Sequence, residues 1–331
     1  MPEVITRAHG GGGAQTRGLI REVFLRHLSD PALARLDDAA RLDPPEGAMA
    51  LTTDSFVVDP WRFPGGNIGD LAVCGTVNDL AMVGARPLYL TAGFVLPEGF
   101  PVRALEEIAG AMARRAREAG VRIVAGDTKV VEEGGPVVNT AGVGEIIAGA
   151  EIAGSGAREG DAVLITGDVG RHGIAVLSRR EGIGFRTEVR SDVAPLAGLV
   201  ARLLASGARV HVLRDPTRGG VAGALNEIAA QSGVEIGIDE ARVPVEPAVS
   251  RACDLLGYDP LHVANEGCAL VVVAAEDAGK ALDALRSHPL GRRASPIGEV
   301  RAGPARVVAR TPLGGWRLVD EPEGELLPRI C

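Results

Sequence analysis

The alternation of strand-like and helix-like segments occurs twice along the 331 residues, and this repetition limits the chain to a fold of two similar domains. In each half, short runs of Val, Ile and Leu alternate with longer stretches of helical periodicity. Between the halves, residues 149–160 are rich in Gly, Ala and Ser, as is typical of a domain boundary. The strand-like segments outnumber those of a purely doubly wound sheet. We therefore predict an α+β protein with an N-terminal domain over 1–149 and a C-terminal domain over 150–319.

The individual elements are predicted from apolar periodicity and from the residues that end each run. The most distinct are two helices: an apolar one over 68–83 that ends at Gly84, and one over 103–119 with a single apolar stripe that ends at Gly120. The same reasoning predicts strands over 50–58, 88–95, 121–125, 137–147, 162–166, 210–213, 234–238 and 269–274, and helices over 194–206, 217–231 and 277–287.

Residues 320–331 have a different composition. They contain two prolines, one glycine and four acidic residues, which argue against a helix or a central strand. We predict a flexible tail that carries Cys331, the last residue of the sequence. An accidental thiol at this place is the alternative to a working one. We expect a working thiol on a mobile segment.

The composition argues against several classes of protein. The net charge is −8 and no long basic run occurs, so we expect neither a nucleic-acid partner nor a membrane partner. No apolar stretch of about 18 residues and no signal sequence is present, so we expect a cytoplasmic protein. The four cysteines form no C-x-x-C pair, which indicates reduced thiols. An acidic chain that binds a polyanion would have to rely on backbone N–H groups and metal cations.

Four aspartates stand beside glycine or at the predicted ends of elements, and together they could hold a metal ion against phosphate. They are Asp54, Asp79, Asp127 and Asp215. Each of them alone is equally typical of a helix cap or a turn. Asp79 is harder to explain in that way because it interrupts an apolar helix, where a charge needs a partner. Thr128 and Lys129 follow Asp127, and Lys129 would be either a surface charge or a phosphate contact.

Phosphate contacts could also come from glycine-rich segments, although neither a Walker A nor a G-x-G-x-x-G sequence occurs. The first such segment is His9, Gly10, Gly11, Gly12 and Gly13. It would be either a flap whose amides meet phosphate or a disordered arm. Gly219 and Gly220 begin a predicted helix whose N-terminus could face phosphate. Glu266, between Asn and Gly, would by itself be a turn residue.

Taken together, five stretches resemble the HypE family of hydrogenase maturation factors, in the superfamily of aminoimidazole ribonucleotide synthetase and selenophosphate synthetase. The stretches are His9–Gly13, Thr53–Gly75, Gly126–Val131, Arg214–Gly220 and Pro328–Cys331. The resemblance runs along the whole chain. It implies two domains of the aminoimidazole ribonucleotide synthetase type, a homodimer formed through a β-barrel of the N-terminal domains, and ATP bound near the glycine run and the aspartates.

The resemblance also implies a reaction on the protein itself. A carbamoyltransferase, HypF, would load a carbamoyl group on Cys331. ATP would then drive its dehydration to a thiocyanate, which supplies cyanide to iron in a HypC–HypD complex. Phosphorylation would turn the poor leaving group, the amide oxygen, into a good one.

The resemblance implies roles for individual residues as well. Asp54, Asp79, Asp127 and Asp215 would serve Mg²⁺. His9, Gly10, Gly11, Gly12, Gly13, Asn78, Thr128, Gly219 and Gly220 would serve ATP and its phosphates. Lys129 would neutralise phosphate, Glu266 would be the base, and Cys331 would carry the substrate.

Three positions depart from the family pattern: Gly11 stands where Ser is expected, Asp70 where Lys is common, and Cys268 is unexpected after Asn-Glu-Gly. Two rival functions stay open. One is a kinase like selenophosphate synthetase, although the glycine run lacks the cysteine that this activity would need. The other is a non-catalytic thiol carrier in which ATP only gates the tail.

Overall fold

The computed structural model describes residues 3–180, 188–321 and 330–331, and it contains one large sheet in each half of the chain. The strands are β1 (Met49–Phe56), β2 (Arg62–Phe63), β3 (Gly66–Asn67), β4 (Ala85–Pro97), β5 (Arg122–Val131), β6 (Val137–Ile146), β7 (Ala162–Ile165), β8 (Val210–Arg214), β9 (Glu235–Asp239), β10 (Leu270–Val273), β11 (Ser295–Arg301), β12 (Arg306–Arg310) and β13 (Trp316–Leu318). The predicted boundary at residues 149–160 falls between β6 and β7.

The helices are α1 (Ala14–Leu19), α2 (Leu25–His27), α3 (Pro31–Ala34), α4 (Ile68–Met82), α5 (Val102–Ala119), α6 (Arg171–Leu177), α7 (Ala197–Ala205), α8 (Gly220–Ser232), α9 (Pro247–Leu256) and α10 (Ala278–Arg286). A π-helical segment, Ile20–Phe24, joins α1 to α2. Among the described residues, no helix has both the length and the apolar character needed to cross a membrane.

The N-terminal domain is built on a four-stranded sheet in the order β1–β6–β4–β5. β4 and β5 are parallel, and the other neighbours are antiparallel. Helix α4 packs across β1, β6 and β4, and α5 packs on α4. The predicted stripe on α5 is buried, and the helix ends at Gly120, whose φ is 68°. Both predicted helices are therefore confirmed.

Helix α4 is buried along its whole length except at Asp79. A helix that is apolar on every side needs neighbours on every side, and the sheet, α5 and α7 provide them. Asn67 caps its start by accepting a hydrogen bond from the Gly69 N–H at 2.8 Å. The packing therefore turns the one acidic residue of the helix that is not buried towards the gap between the domains.

The opposite face of this sheet stays open in the single chain. Leu51 and Met49 on β1 are 71% and 61% exposed. The part of the chain that the structure describes forms an open sheet with β1 and β5 as its edges, and not a closed barrel. The barrel expected from two N-terminal domains stays a prediction about the dimer.

The C-terminal domain contains a seven-stranded sheet in the order β13–β12–β9–β11–β7–β10–β8. β12 and β9 are parallel, and the other pairs are antiparallel. Val163 and Ile165 of β7 face the apolar side of α8, whereas Leu164 faces α7 and α10. Helices therefore cover both faces of this sheet. Asp215 directly follows the edge strand β8, and so lies at the edge of the sheet nearest the other domain.

Several elements were not predicted, and one prediction lies partly outside the described residues. The sequence patterns missed the β2–β3 hairpin, helices α6 and α9, and strands β11 to β13. Of the predicted flexible tail, residues 322–329 lie outside the described residues. Ile330, however, is only 3% exposed and belongs to the hydrophobic cluster that includes Val176, Val193 and Ala264.

Candidate active site

Three of the four predicted metal aspartates come together between the two domains. Asp54 lies on β1, Asp79 on α4 and Asp215 directly after β8. Asp79 and Asp215 line one cavity of about 390 Å³, and Thr52 of β1 lines it too. Its hydroxyl donates a hydrogen bond to Asp79 Oδ2 at 2.9 Å. Because both domains supply residues, this acidic cleft exists only when they are packed together.

The acidic cleft holds protons more tightly than exposed carboxylates do. Burial raises the pKa of Asp79, the hydrogen bond from Thr52 opposes this shift, and the charge of Asp54 adds to it. Burial, together with the charge of Asp79, raises the pKa of Asp215 to about 7. A cation among these groups would relieve their repulsion, as a bound Mg²⁺ does in phosphate sites.

The acidic cleft fits a metal ion by charge but not by a complete set of protein ligands. Within residues 3–180, 188–321 and 330–331, no three His, Cys, Asp or Glu side chains are grouped closely enough to hold one ion. Mg²⁺ commonly takes only one or two carboxylates from the protein and completes its shell with water and phosphate oxygens. The donor set therefore suits a metal that arrives with a nucleotide.

Two arginines that the sequence reasoning missed line the same cavity. Arg214 forms an ion pair with Glu227, and its charge lowers the pKa of Asp79 and of Asp215. Arg218 is exposed on the cavity wall and lies close enough to lower the pKa of Cys331. Both belong to the Arg-Asp-Pro-Thr-Arg segment around Asp215, so their proximity to that aspartate was the available signal.

Glu266 lies next to this cleft and is 3% exposed. Burial raises its pKa well above the ordinary value, and the charges of Asp215 and Asp192 add to the shift. Asp192 holds the segment in place, because its carboxylate accepts hydrogen bonds from the backbone N–H groups of Glu266 and Gly267 at 3.1 and 2.9 Å. Burial raises the pKa of Asp192 itself to about 6.

Cys331 lies within the electrostatic reach of several of these groups. Burial raises the pKa of its thiol, the charges of Glu266, Asp54 and Asp215 add to the shift, and Arg218 opposes it. The sulfur is therefore protonated in this arrangement and not a ready thiolate. The structure thus brings five of the predicted residues near one another: Cys331, Glu266, Asp54, Asp79 and Asp215.

His9, the glycine run, Asp127, Thr128 and Lys129 form a second group at the far edge of the first sheet. His9 is buried, and its Nδ1 accepts a hydrogen bond from the Thr6 N–H at 3.0 Å. The glycine run after it is an ordered turn and not a loose arm. A Cβ atom on Gly10 would come within 2.7 Å of the Val130 backbone nitrogen, so this position requires glycine. Gly13 then caps the start of α1.

A cavity of about 590 Å³ lies beside this turn, and its wall includes Gly12, Asp127 and Thr128. The rest of the wall is largely apolar, with Ile20 and Phe24 among its residues. Lys129 Nζ lies 2.7 Å from Asp127 Oδ2, and this hydrogen bond lowers the pKa of Asp127. An apolar chamber beside backbone N–H groups and a lysine suits a nucleotide base and its phosphates.

Strand register shows how far apart the two groups lie in one chain. Asp54 on β1 is opposite Thr140 on β6, Thr140 is opposite Ala92 on β4, and Gly93 is opposite Asp127 on β5. Three inter-strand steps of ~4.8 Å separate Asp54 from Asp127 by roughly 14 Å. One chain therefore does not bring Asp127 and Lys129 to the other aspartates.

Three predicted phosphate contacts have other partners here. Asn78 is buried; its amide donates to the Ala194 carbonyl at 3.2 Å and accepts from the Leu196 N–H at 2.8 Å, which ties α4 to the C-terminal domain. Gly219 caps α8 with a left-handed φ of 77°. Gly220 has a φ of 62°, and a Cβ there would meet the Leu261 backbone oxygen at 2.5 Å. Packing and hydrogen bonding therefore explain why these three residues occupy their positions, and their role in binding phosphate stays a prediction.

The three departures from the family pattern also have places in the structure. Gly11 lies in the ordered turn after the 3₁₀ segment Arg7–Gly10. Asp70 is buried and accepts hydrogen bonds from Arg115 at 2.8 Å and Arg114 at 3.0 Å, so it forms a structural ion-pair cluster. Cys268 is buried, as expected, and its raised pKa makes it an inert thiol.

Known proteins share both the sequence and the fold. Residues 36–146 match the family described as AIR synthase related protein, N-terminal domain, and residues 158–310 match the corresponding C-terminal domain. The carbamoyl dehydratase HypE of Cupriavidus necator is 54% identical over 99% of this chain and 95% of its own length. A crystal structure of the hydrogenase maturation protein HypE in complex with ATP has a TM-score of 0.94 at 48% identity, covering 98% of this chain and 99% of that chain.

A second crystal structure, of a HypE–HypF complex, has a TM-score of 0.81 at 50% identity, and the match covers 94% of this chain and 100% of that chain. The identity extends over nearly the full length of each relative, and the fold agrees in both domains. The chain belongs to the HypE family of carbamoyl dehydratases, within the AIR synthase related proteins.

Proposed function

We propose that this protein uses ATP to dehydrate a carbamoyl group on the sulfur of Cys331 to a thiocyanate, and so supplies cyanide for the iron of a [NiFe]-hydrogenase. The observation that carries the proposal is that Cys331, at the docked end of the chain, lies near enough to Glu266, Asp54, Asp215 and Arg218 for their charges to act on its thiol. A carboxyl base, an acidic cleft suited to a metal–nucleotide and a docked thiol are the parts that such a dehydration needs. The likeness to carbamoyl dehydratases and to an ATP complex supports it.

The reaction balances as S-carboxamide and ATP giving thiocyanate, ADP, phosphate and a proton. The carbamoyl oxygen first takes the γ-phosphoryl group, which breaks the bond to ADP, and the nitrogen loses one proton. The carbon–oxygen bond then breaks, phosphate leaves with its electron pair, and Glu266 accepts the second nitrogen proton. Because burial and neighbouring charges raise the pKa of Glu266, its ionised form is a stronger base than an exposed carboxylate.

Mg²⁺ would be held by one or two of the carboxylates of Asp54, Asp79 and Asp215, together with water and phosphate oxygens. It supplies charge neutralisation of the transferred phosphoryl group when bound. The contribution of the chain itself is to hold the carboxylates at the junction of β1, α4 and β8 and to place Arg218 beside the thiol.

A homodimer would complete the site. In a closed barrel of two such sheets whose two-fold axis runs along the barrel, the order β1–β6–β4–β5 makes β5 of one copy the neighbour of β1 of the other. The partner subunit's Lys129 and Asp127 would then approach Asp54, which one chain cannot achieve alone. The exposed Leu51 and Met49 support burial of this face in the dimer.

The partners follow from the proposed chemistry. HypF would load the thiol, in line with the HypE–HypF complex of a relative, and a HypC–HypD complex would receive the cyanide. Such a reaction needs a free thiol, and the described cysteines, Cys74, Cys253, Cys268 and Cys331, form no disulfide. We therefore place the reaction in the reducing cytoplasm.

Intact-mass measurement of the carbamoyl-loaded protein tests this function. With MgATP, the loaded chain should lose the mass of one water, and without ATP its mass should stay unchanged. Glu266→Gln should still load and bind ATP but lose water at least 100-fold more slowly, the usual worth of a general base. An unchanged mass of the wild type with MgATP would leave only the carrier function, and a fully active Glu266→Gln would remove this residue from the mechanism.

A further inference from the structure

The end of the chain, Ile330 and Cys331, is docked against a buried histidine that the proposed chemistry does not use. His172 of α6 is completely buried, and its Nε2 lies 2.8 Å from the backbone oxygen of Ile330. Its Nδ1 lies 2.8 Å from the hydroxyl of Ser191. The Phe63 ring packs against the imidazole at a centroid distance of 5.1 Å, nearly perpendicular to it.

These contacts fix both the charge and the tautomer of the imidazole. A carbonyl oxygen only accepts, so Nε2 carries the hydrogen and donates it to Ile330. Burial lowers the pKa of His172 to about 4, so the ring is neutral and Nδ1 is an acceptor. Ser191 Oγ already accepts the Val193 N–H at 3.1 Å, and its own hydrogen is therefore directed to Nδ1. Ser191 thereby orients the ring so that the hydrogen on Nε2 faces the tail.

The same short segment also holds Glu266. The residue after Ser191 is Asp192, whose carboxylate accepts the Glu266 N–H. Two residues further, the Ala194 N–H donates to the Glu266 carbonyl at 3.2 Å. The segment thus contacts the base through its backbone and the tail through His172.

We propose that His172 and Ser191 are a positioning pair that fixes the register of the docked tail, so that the sulfur of Cys331 is presented to Glu266. This inference rests on the proposed function for its catalytic consequence, but the docking itself does not depend on it. His172 touches none of the reacting atoms; it acts through the Ile330 carbonyl. A bond to the backbone fixes where along the tail the chain is held, which the apolar contacts of the Ile330 side chain alone do not.

Alkylation of Cys331 by iodoacetamide, followed by mass spectrometry of the C-terminal peptide, measures docking without any chemistry on the carbamoyl group. The buried Cys74, Cys253 and Cys268 are internal references in the same sample. His172→Leu, which has a similar volume and no donor, should raise the alkylation rate of Cys331 about two- to ten-fold, the worth of one buried hydrogen bond. His172→Gln, which can donate and accept, should restore most of the protection.

Ser191→Ala is the second variant, and it keeps the folded core should His172→Leu fail to fold. It leaves the buried Nδ1 without a donor and the ring less firmly oriented, so the hydrogen bond from Nε2 to the Ile330 carbonyl weakens, and Cys331 should again react faster. Equal protection of Cys331 in wild type, His172→Leu and Ser191→Ala, at a lowered melting temperature, would show that the pair only packs the core and would overturn the proposal.

A single-turnover measurement on the carbamoyl-loaded chain separates this inference from the proposed function. His172→Leu should slow water loss because the docked fraction falls, by a smaller factor than it raises alkylation as long as most chains stay docked, and the ATP concentration for half-maximal rate should stay unchanged. Loss of ATP affinity instead would contradict a role in positioning. If the wild type loses no water but alkylation still responds to His172→Leu, the proposed function fails and the positioning pair stands.

Discussion

Asp215 lowers the stability of the folded chain by an amount that depends on pH. Its pKa in the folded chain is about 7, against an ordinary value of 3.8, because of burial and the charge of Asp79. Between these values the folded state binds more protons than the unfolded state, so its stability should fall as the pH rises from about 4 to 7 and then level off. Asp215→Asn removes this loss.

We therefore expect Asp215→Asn to match the wild type near pH 4 and to exceed it by about 1–3 kcal/mol at pH 8 in EDTA. Urea unfolding at the two pH values measures the difference. Asp283→Asn, on the surface of α10, is the control and should change nothing. If Asp215→Asn is equally stable at pH 8, the carboxylate is not charged against its neighbours.

At the scale of single residues, the sequence and its family resemblance pointed to candidate groups but not to the residues that support them. Asp54, Asp79, Asp215, Glu266 and Cys331 were singled out in this way and lie near one another in the structure, while their roles stay predictions. Asp192, Ser191 and His172 were not singled out as site residues, because each acts through contacts with groups that lie 19 to 158 residues away in the sequence. No local pattern carries such information.

Helix α8 begins with a residue that tolerates no side chain. Gly220 has a left-handed φ of 62°, and a Cβ would meet the backbone oxygens of Leu261 and Val263. Gly220→Ala should therefore lower stability by about 2–4 kcal/mol, from backbone strain and from the clash. Gly279→Ala in α10, where nothing lies within 4 Å of the added atom, should be neutral or slightly stabilising. Thermal unfolding of both variants decides the point, and equal melting temperatures would contradict it.

At the scale of elements, long periodic segments were predictable and short ones were not. Helices α4 and α5 follow from an apolar run and an apolar stripe of about four turns or more. The β2–β3 hairpin has two residues in each strand, too few to show alternation. Strands β11 and β12 carry arginines and a glutamate on exposed positions, and only their pairing with β7 and β9 identifies them.

For the whole molecule, the proposed dimer makes a prediction that no single chain can fulfil. Lys129→Ala and Glu266→Gln should each be inactive in homodimers. In a mixed dimer, one of the two sites combines an intact Glu266 with the partner subunit's intact Lys129. After exchange of subunits in equal amounts, about one quarter of the wild-type dehydration rate should return, since half of the dimers are mixed and each has one good site. No recovery would mean that each chain uses its own Lys129.

The burial of helix α4 limits which amino-acid substitutions this protein can accept during evolution. Its surroundings on all sides are filled by the sheet, α5 and α7, and Asp79 alone is left unburied. Packed interiors accept exchanges that conserve volume and reject most others. Random mutagenesis of this helix should thus yield functional sequences only with apolar exchanges of similar size. The carboxylate at position 79 cannot be shifted along the helix by insertion or deletion without disrupting the core of the first domain.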